Sequence, residues 1–224
     1  MTNGNSGVII IQWHCRGFPA RKAVVHRHIR HAACKPDVNL LQETLMAAPT
    51  LTGSRQPLPT IEGKGQCTPV RKGPTFVDHE LGGVQADHSF VEVIPAKCGK
   101  QSIFLLNVYR NPSKRRKGLR ALLQLAISTT MSRMLIPGAD FTAAEAEWGY
   151  GYNTAKGENL AQDTHALDFA LITDPALSTR LGNLATRDAI PELTFITNTE
   201  TATVTCSNTM VDLGSDHAFV EIHV

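Results

Sequence analysis

Residues 134–149 read MLIPGADFTAAEAEWG. The apolar residues at the start of this stretch predict a buried strand, and the Pro-Gly pair predicts a tight turn that leads into Asp140. Catalytic side chains commonly lie where a rigid strand ends beside a loop. Asp140 is therefore the first candidate for a functional residue, and Thr142 is its polar neighbour.

Polar side chains also flank four other predicted strands. They are His14 after IIIQW, Glu43 after NLLQ, Tyr109 after FLLNV, and Asp216-His217 just before AFVEI. Carboxylates hold Mg²⁺, which stabilises charge on a phosphoryl oxygen. Several carboxylates together with histidine and tyrosine therefore suit a metal-assisted phosphodiesterase.

The hydrophobic pattern predicts more strands than helices. Strands are predicted at 8–13, 38–44, 89–94, 102–109, 133–138, 167–172, 192–197, 201–206 and 218–224, and helices at 21–34 and from an N-cap at Ser113 to about Met131. Residues 49–74 are rich in Pro, Gly, Thr and Ser, which predicts a long loop with at most one strand. Consecutive strands favour two packed sheets with covering helices over an alternating parallel sheet. We expect one domain over residues 1–224, with 1–6 disordered.

Composition places the chain among globular proteins, with 42% hydrophobic and 19% charged residues. Its five cysteines form no C-x-x-C pair, which favours reduced thiols over a disulfide framework or a zinc site. The apolar run near the start is too short for a signal peptide or a membrane span. We expect an intracellular protein, nuclear or cytoplasmic, with no membrane partner.

Charge is unevenly distributed along the chain. Residues 1–36 and 93–139 contain no acid, whereas residues 140–174 contain seven acids against the single base Lys156. This separation indicates a basic surface for a polyanion beside a carboxylate cluster, with ordinary solvated faces as the alternative.

Short motifs occur in a characteristic order. They are WHCRG at 13–17, LLQET at 40–44, NVYRNPS at 107–113, GADFT at 138–142, WGY at 148–150, TRDAIPELTF at 186–195 and GSDH at 214–217. Together they resemble the endonuclease/exonuclease/phosphatase superfamily, and more narrowly the endonuclease domain of non-LTR retrotransposons. The resemblance covers about residues 7–224. It implies a DNase I-like four-layer α/β sandwich, with two packed mixed β-sheets flanked by helices, and an enzyme that nicks DNA.

The resemblance also implies roles for the catalytic side chains. Asp140 would position or deprotonate the attacking water, and Tyr109 would reach toward the scissile phosphate. His217 would contact the phosphate and be oriented by Glu192.

A metal and a DNA surface are implied as well. Glu43 and Asp216 would hold Mg²⁺, with Mn²⁺ as a substitute. The partner would be duplex DNA, bound through its backbone phosphates. The basic residues expected to contact that backbone are Arg110, Lys114, Arg115 and Arg116.

Three positions depart from the family pattern. His14 and Thr142 stand where the family has asparagine, and Glu192 stands where it usually has aspartate. Losing one transition-state donor costs about 100- to 1,000-fold in rate, and a displacement near 1 Å can cost about 100-fold. The departures therefore predict weakened or lost activity.

Two alternatives remain open at this point. One is a catalytically inactive, DNA-binding relic of a transposon, and the other is a repair-type apurinic endonuclease or phosphatase on the same scaffold. A full-length element would carry a reverse-transcriptase domain. None follows Val224, so we expect an isolated domain, a truncated copy or a fragment.

Overall fold

The computed structural model describes residues 7–32, 34–46, 51, 53–56, 65–84, 86–95, 101–109, 118–182, 187–197, 203–209 and 213–224. The helices within these residues are α1 (Phe18–His31), α2 (Leu119–Thr130) and α3 (Ala155–Ala166), with a 3₁₀ turn at Ala146–Trp148. The strands are β1 (Ile9–His14), β2 (Val38–Gln42), β3 (Ser54–Arg55), β4 (Gln66–Cys67), β5 (Val70–Arg71), β6 (Thr75–His79), β7 (Asp87–Ile94), β8 (Ile103–Tyr109), β9 (Leu135–Asp140), β10 (Ala170–Leu171), β11 (Glu192–Ile196), β12 (Thr205–Thr209) and β13 (Phe219–His223).

Two mixed sheets are formed by these strands. The first has the order β12-β13-β1-β2-β5-β3, with β4 also paired to β2, and the second has the order β10-β11-β9-β8-β7-β6. The pair β1–β2 is parallel in the first sheet, and β8–β9 is parallel in the second. The other pairings between these strands are antiparallel.

The sheets pack face to face, and helices cover their outer sides. Strand β8 shows the arrangement: Leu105 contacts the core between the sheets, whereas Phe104 and Leu106 lie on the opposite face among residues of α2 and α3. Side chains alternate across a strand, so a strand buried on both faces is apolar throughout. Helix α1 covers the first sheet through Phe18 and Val25. The layers are therefore α1, sheet, sheet, and α2 with α3, as predicted.

This topology gathers particular strand ends at one edge. The parallel partners β1 and β2, and likewise β8 and β9, end at the same edge. Strands β11 and β13 run antiparallel to β9 and β1, so they start at that edge, and Glu192 faces Asp140 in register. The two sheets join near this edge through the buried hydrogen bond from Gln42 Nε2 to Asn107 Oδ1, 2.8 Å long.

The tight turn predicted before Asp140 is wrong, because β9 continues through Pro137 and Gly138, the last two residues of the predicted strand 133–138, to Asp140 itself. Pro137 pairs with Leu106 and Gly138 with Asn107. The lack of a side chain at Gly138 allows the two sheets to approach closely. A Cβ on Gly138 would lie 2.4 Å from Gln12 Oε1.

Several other boundaries differ from the predictions. Helix α3 and strand β6 were not predicted, and the described part of 49–74 contains three short strands where at most one was expected. Helix α1 begins three residues earlier than predicted, since Pro19 suits a first helical turn. Strand β10 covers two residues of the predicted 167–172, and β12 lies at 205–209 where 201–206 was predicted. The helix predicted from a Ser113 N-cap begins later, because α2 starts at Leu119 with Gly118 in the N-cap position. Ser113 itself and residues 1–6 lie outside the described residues.

In the described part of the chain, every helix is too short or too polar to cross a membrane.

Candidate active site

A cleft of about 210 Å³ opens at the shared strand edge. Its lining side chains are His14, Arg16, Glu43, Tyr109, Asp140, Thr142, Arg180 and His217. They come from both sheets and from the segments that follow or precede the strands, so the packing of one sheet on the other builds the cleft.

His14, the last residue of β1, lies between carboxylates. Its Nε2 is hydrogen-bonded to Glu43 Oε2. Its Nδ1 lies 2.6 Å from Asp140 Oδ2 and 3.8 Å from Glu192 Oε1. Burial alone would lower the pKa of His14, but these carboxylates outweigh it and raise the pKa. The imidazole is therefore held in a setting that favours its cationic form.

Asp140 ends β9 with its carboxylate fixed at both oxygens. Oδ1 accepts a hydrogen bond of 2.9 Å from the Thr142 backbone N–H, and Oδ2 faces His14. Burial opposes ionisation, but the contact with His14 outweighs it and lowers the pKa of Asp140. Asp140 is thus an ionised carboxylate in a fixed orientation.

Glu192 and His217 form a buried pair beneath the cleft. Glu192 is 0% exposed and is hydrogen-bonded through Oε1 to His217 Nδ1. Burial raises the pKa of Glu192, and the charge of Asp140 adds to that rise. The Trp13 indole N–H donates to the His217 carbonyl oxygen at 3.1 Å, which fixes the backbone beneath the imidazole.

Tyr109 and Glu43 also line the cleft. Burial, followed by the charges of Glu43 and Asp140, raises the pKa of Tyr109, so the phenol remains a hydrogen-bond donor. Glu43 follows β2 with φ at +48°, a left-handed conformation that is strained for glutamate. The Gly17 N–H donates to the Glu43 carbonyl oxygen at 2.8 Å and holds this turn in place.

Asp216 is bound by two arginines. Arg16 Nη1 donates to Oδ1 at 2.6 Å, and Arg180 Nε donates to Oδ2 at 2.9 Å. Burial would raise the pKa of Asp216, but the hydrogen bonds from Arg180 and Arg16 outweigh it and lower the pKa to about 2. Both carboxylate oxygens are therefore engaged by cations of the chain itself.

A comparison with protein families identifies the chain. Residues 103–221 match the profile of a family described as endonuclease–reverse transcriptase. The chain belongs to this family. A comparison with curated protein sequences gave no significant match.

Solved structures share the fold over nearly the whole chain. The endonuclease domain of TRAS1, a telomere-specific non-LTR retrotransposon, aligns with a TM-score of 0.74 at 17% identity, over 97% of this chain and 98% of that one. The AP endonuclease LMAP from Leishmania major aligns with a TM-score of 0.70 at 15% identity, over 97% and 87%. The 3'-5' exonuclease NExo from Neisseria meningitidis gives 0.68 at 14% identity, over 96% and 98%. The expected DNase I-like α/β sandwich of the endonuclease/exonuclease/phosphatase superfamily is confirmed.

The structure of this endonuclease–reverse transcriptase family member brings most of the predicted site residues together. His14, Glu43, Tyr109, Asp140, Thr142 and His217 line the cleft, while Glu192 and Asp216 contact its lining residues. The four residues predicted to contact DNA, Arg110, Lys114, Arg115 and Arg116, lie outside the described residues.

Three side chains at the cleft were not predicted. Arg16 belongs to the WHCRG motif, so its position beside His14 was a usable signal. Lys156 donates a hydrogen bond to Thr142 Oγ1, and it is the single base in the acidic block 140–174. Arg180 lies in a segment without a recognised motif, and nothing in the local sequence marks it.

The donor set does not fit the expected Mg²⁺ pair. Among the described residues, the group that could share an ion is His14, Asp140, Glu192 and His217, each with one ligand atom within 4.8 Å of the others. Two of these donors are imidazoles, whereas Mg²⁺ prefers oxygen ligands. Of the predicted metal ligands, Glu43 is bound by His14 and Asp216 by two arginines. In this arrangement the carboxylates of Glu43 and Asp216 are not both free to bind a metal ion.

Proposed function

We propose that this chain is a phosphodiesterase that nicks duplex DNA, as an endonuclease domain of the non-LTR retrotransposon type, with weakened activity. One observation carries the proposal: Asp140 and the Glu192–His217 pair meet in a single cleft. Asp140 and Glu192 face each other on neighbouring strands of the second sheet, whereas His217 precedes β13 of the first sheet. The three residues are distant in sequence, so their convergence requires the whole fold.

Asp140 is the group that orients the attacking water. A general base must be ionised and within hydrogen-bond reach of its substrate. The lowered pKa of Asp140 satisfies the first condition, and its place in the cleft wall supports the second. The hydrogen bond from the Thr142 backbone fixes one oxygen, so the carboxylate keeps one orientation.

His217 and Tyr109 are the groups that contact the phosphoryl oxygens. Glu192 binds His217 Nδ1, so Nε2, which lies 3.5 Å from Asp216 Oδ1, is the nitrogen that can donate toward a phosphate in the cleft. Tyr109, which also lines the cleft, adds a neutral O–H donor. Fixed donors aimed at the developing charge are a large term in phosphoryl transfer.

The weakened activity follows from the departures at Thr142 and His14. Thr142 accepts a hydrogen bond from Lys156, so its hydroxyl is engaged within the chain. His14 is held among Glu43, Asp140 and Glu192. Neither side chain offers the amide donor and acceptor that asparagine would present to a phosphate.

A plasmid assay tests the proposed function. Purified protein incubated with supercoiled plasmid and Mg²⁺ or Mn²⁺ should produce nicked circles slowly, and His217→Ala should abolish that product. A protein that shifts plasmid on a gel but never nicks it would be a DNA-binding relic, and the hydrolase proposal would fail. Cleavage of abasic but not intact duplex would assign a repair-type activity, and release of phosphate from an inositol phosphate would assign a phosphatase.

A further inference from the structure

Two arginines, Arg16 and Arg180, bind Asp216, and the proposed hydrolytic mechanism gives them no role. Arg16 and Arg180 approach opposite oxygens of the carboxylate at 2.6 and 2.9 Å. Their side chains are 47% and 29% exposed, and both line the cleft. Each arginine thus binds Asp216 with one part of its guanidinium and faces the cleft.

Arg180 is held in place by backbone pairing. Its N–H donates to the Ala189 carbonyl at 2.9 Å, and the Ala189 N–H donates back at 3.0 Å. The Leu181 N–H donates to the Asp216 carbonyl at 2.7 Å. The segment that carries Arg180 is therefore in register with the segment that carries Asp216, and their contact is part of the fold.

Arg16 is held in place by Arg21, an arginine of α1. Arg21 Nη1 donates to the Arg16 carbonyl at 2.6 Å, and Arg21 Nε donates to the Gly214 carbonyl at 2.7 Å. One guanidinium on α1 thereby ties the turn of Arg16 to the loop just before Asp216. Hydrogen bonds to the backbone therefore hold both Arg16 and Arg180 in position beside Asp216.

These contacts change the charge that a divalent cation would meet. Cation affinity depends on the number of uncompensated ligand charges. Asp216 carries one negative charge against two guanidinium groups, so its surroundings are positive at close range. Arginine has five N–H donors and pairs well with phosphate, so the donors not used on Asp216 can bind a phosphate oxygen.

We propose that Arg16 and Arg180 take the place of a divalent cation at Asp216, so that the cleft binds a backbone phosphate of DNA through arginine and binds divalent cations at Asp216 only weakly. The identity of the phosphate ligand rests on the proposed function. The weak binding of cations at Asp216 does not.

Direct binding of Mn²⁺, measured by electron paramagnetic resonance, tests the cation arm. The wild-type chain should bind Mn²⁺ weakly, and the Arg16→Gln/Arg180→Gln double variant should bind it about tenfold tighter or more, because two competing charges are removed. Adding Asp216→Asn to the double variant should remove the gain. Arg71→Gln, which breaks a pair with Asp37 outside the cleft, is the matched control and should leave affinity unchanged.

The Arg16→Gln single variant is included in case the double variant does not fold, because the Arg16 side chain is half-exposed. It should show an intermediate gain in Mn²⁺ affinity. Circular dichroism checks the fold of each protein. Equal Mn²⁺ affinity in wild type and the arginine variants would overturn the proposal, as would tight wild-type binding that Asp216→Asn abolishes.

Binding of a short DNA duplex in EDTA, followed by fluorescence anisotropy, tests the phosphate arm. Wild type should bind without metal, and the double variant should bind about tenfold more weakly, whereas Arg71→Gln should change affinity less than twofold. Loss of wild-type binding in EDTA, or undiminished binding by the double variant, would contradict the proposal. Neither assay measures cleavage, so a protein that never nicks plasmid would remove the proposed hydrolase activity and leave both results valid.

Discussion

Thr142 has a backbone conformation that is unfavourable for a threonine side chain. Its φ is +40°, in the left-handed region that β-branched residues rarely adopt. Asparagine tolerates this conformation because its short polar side chain bonds locally. The structure therefore supplies a backbone reason for asparagine in the family motif, independent of any contact with phosphate.

We predict that Thr142→Asn stabilises the protein. Relief of left-handed strain should raise the free energy of unfolding by about 1 kcal/mol, measured by urea denaturation. Thr129→Asn, at a helical threonine of α2, is the control and should give no gain. A Thr142→Asn protein no more stable than wild type would show that the turn is not strained.

Glu192 should matter for turnover more than for stability. Glu192→Gln keeps the size of the side chain but replaces the carboxyl group that binds and orients His217, and by the serine-protease precedent the rate should fall by about 100- to 10,000-fold. The measurement is the rate of plasmid nicking, with the unfolding midpoint in parallel. Glu147→Gln, at a surface acid, is the control. A nicking rate close to wild type in Glu192→Gln would mean that His217 does not depend on this carboxylate.

The sequence predicted site residues well where a motif lies at the end of a strand. Asp140, His217 and Glu43 follow or precede apolar runs, so their convergence follows from parallel and antiparallel pairing at one edge. It did not predict that Asp216 is bound by arginines. That contact joins residues 16, 180 and 216, and pairing over such separations depends on the tertiary fold.

At the scale of elements, helix α3 positions the loop beside the cleft. Its N-cap Thr154 donates through its backbone N–H to the Ala144 carbonyl at 2.9 Å, and its first turn carries Lys156 to Thr142. Gly157 allows this approach, because a Cβ at that position would lie 1.8 Å from the Ala144 carbonyl oxygen.

We predict that Gly157→Ala displaces α3 from this loop. Overpacking against backbone should lower the free energy of unfolding by about 1–3 kcal/mol, even though alanine is the better helix former. Gly151→Ala, where a new Cβ meets nothing within 4 Å, should be close to neutral. Urea denaturation of both variants measures the difference, and equal stability would show that α3 is free to shift.

The same helix shows where element prediction from sequence failed. Its sequence, AKGENLAQDTHA, contains few large apolar residues, and among the described side chains Leu160 is the large one that is buried. Hydrophobic periodicity therefore gave no signal, and the helix is specified by its Thr154 cap and its contact with the loop. Strands such as β8 were predicted because both faces are buried and the sequence is continuously apolar.

At the scale of the whole molecule, we propose that the two sheets form one domain. The cleft takes residues from both sheets, and a shared core lies between them. The two tryptophans report on different sides of that core: Trp13 packs under α1, and Trp148 packs with residues of α2 and α3.

Unfolding should therefore be a single transition. The test uses the Trp13→Phe and Trp148→Phe variants, each of which keeps one tryptophan. Within each variant, tryptophan fluorescence and far-ultraviolet circular dichroism should give the same urea midpoint, as expected for a two-state domain. Fluorescence midpoints that separate from the circular dichroism midpoint would indicate two independently folding units.

The central claim is that this cleft hydrolyses the DNA backbone through Asp140. The most direct measurement is the initial rate of nicking of supercoiled plasmid by wild type and by Asp140→Asn, in Mg²⁺ and in Mn²⁺. We predict slow nicking by wild type and a decrease of at least about 100-fold in the variant. A wild-type rate no higher than that of Asp140→Asn would contradict the claim.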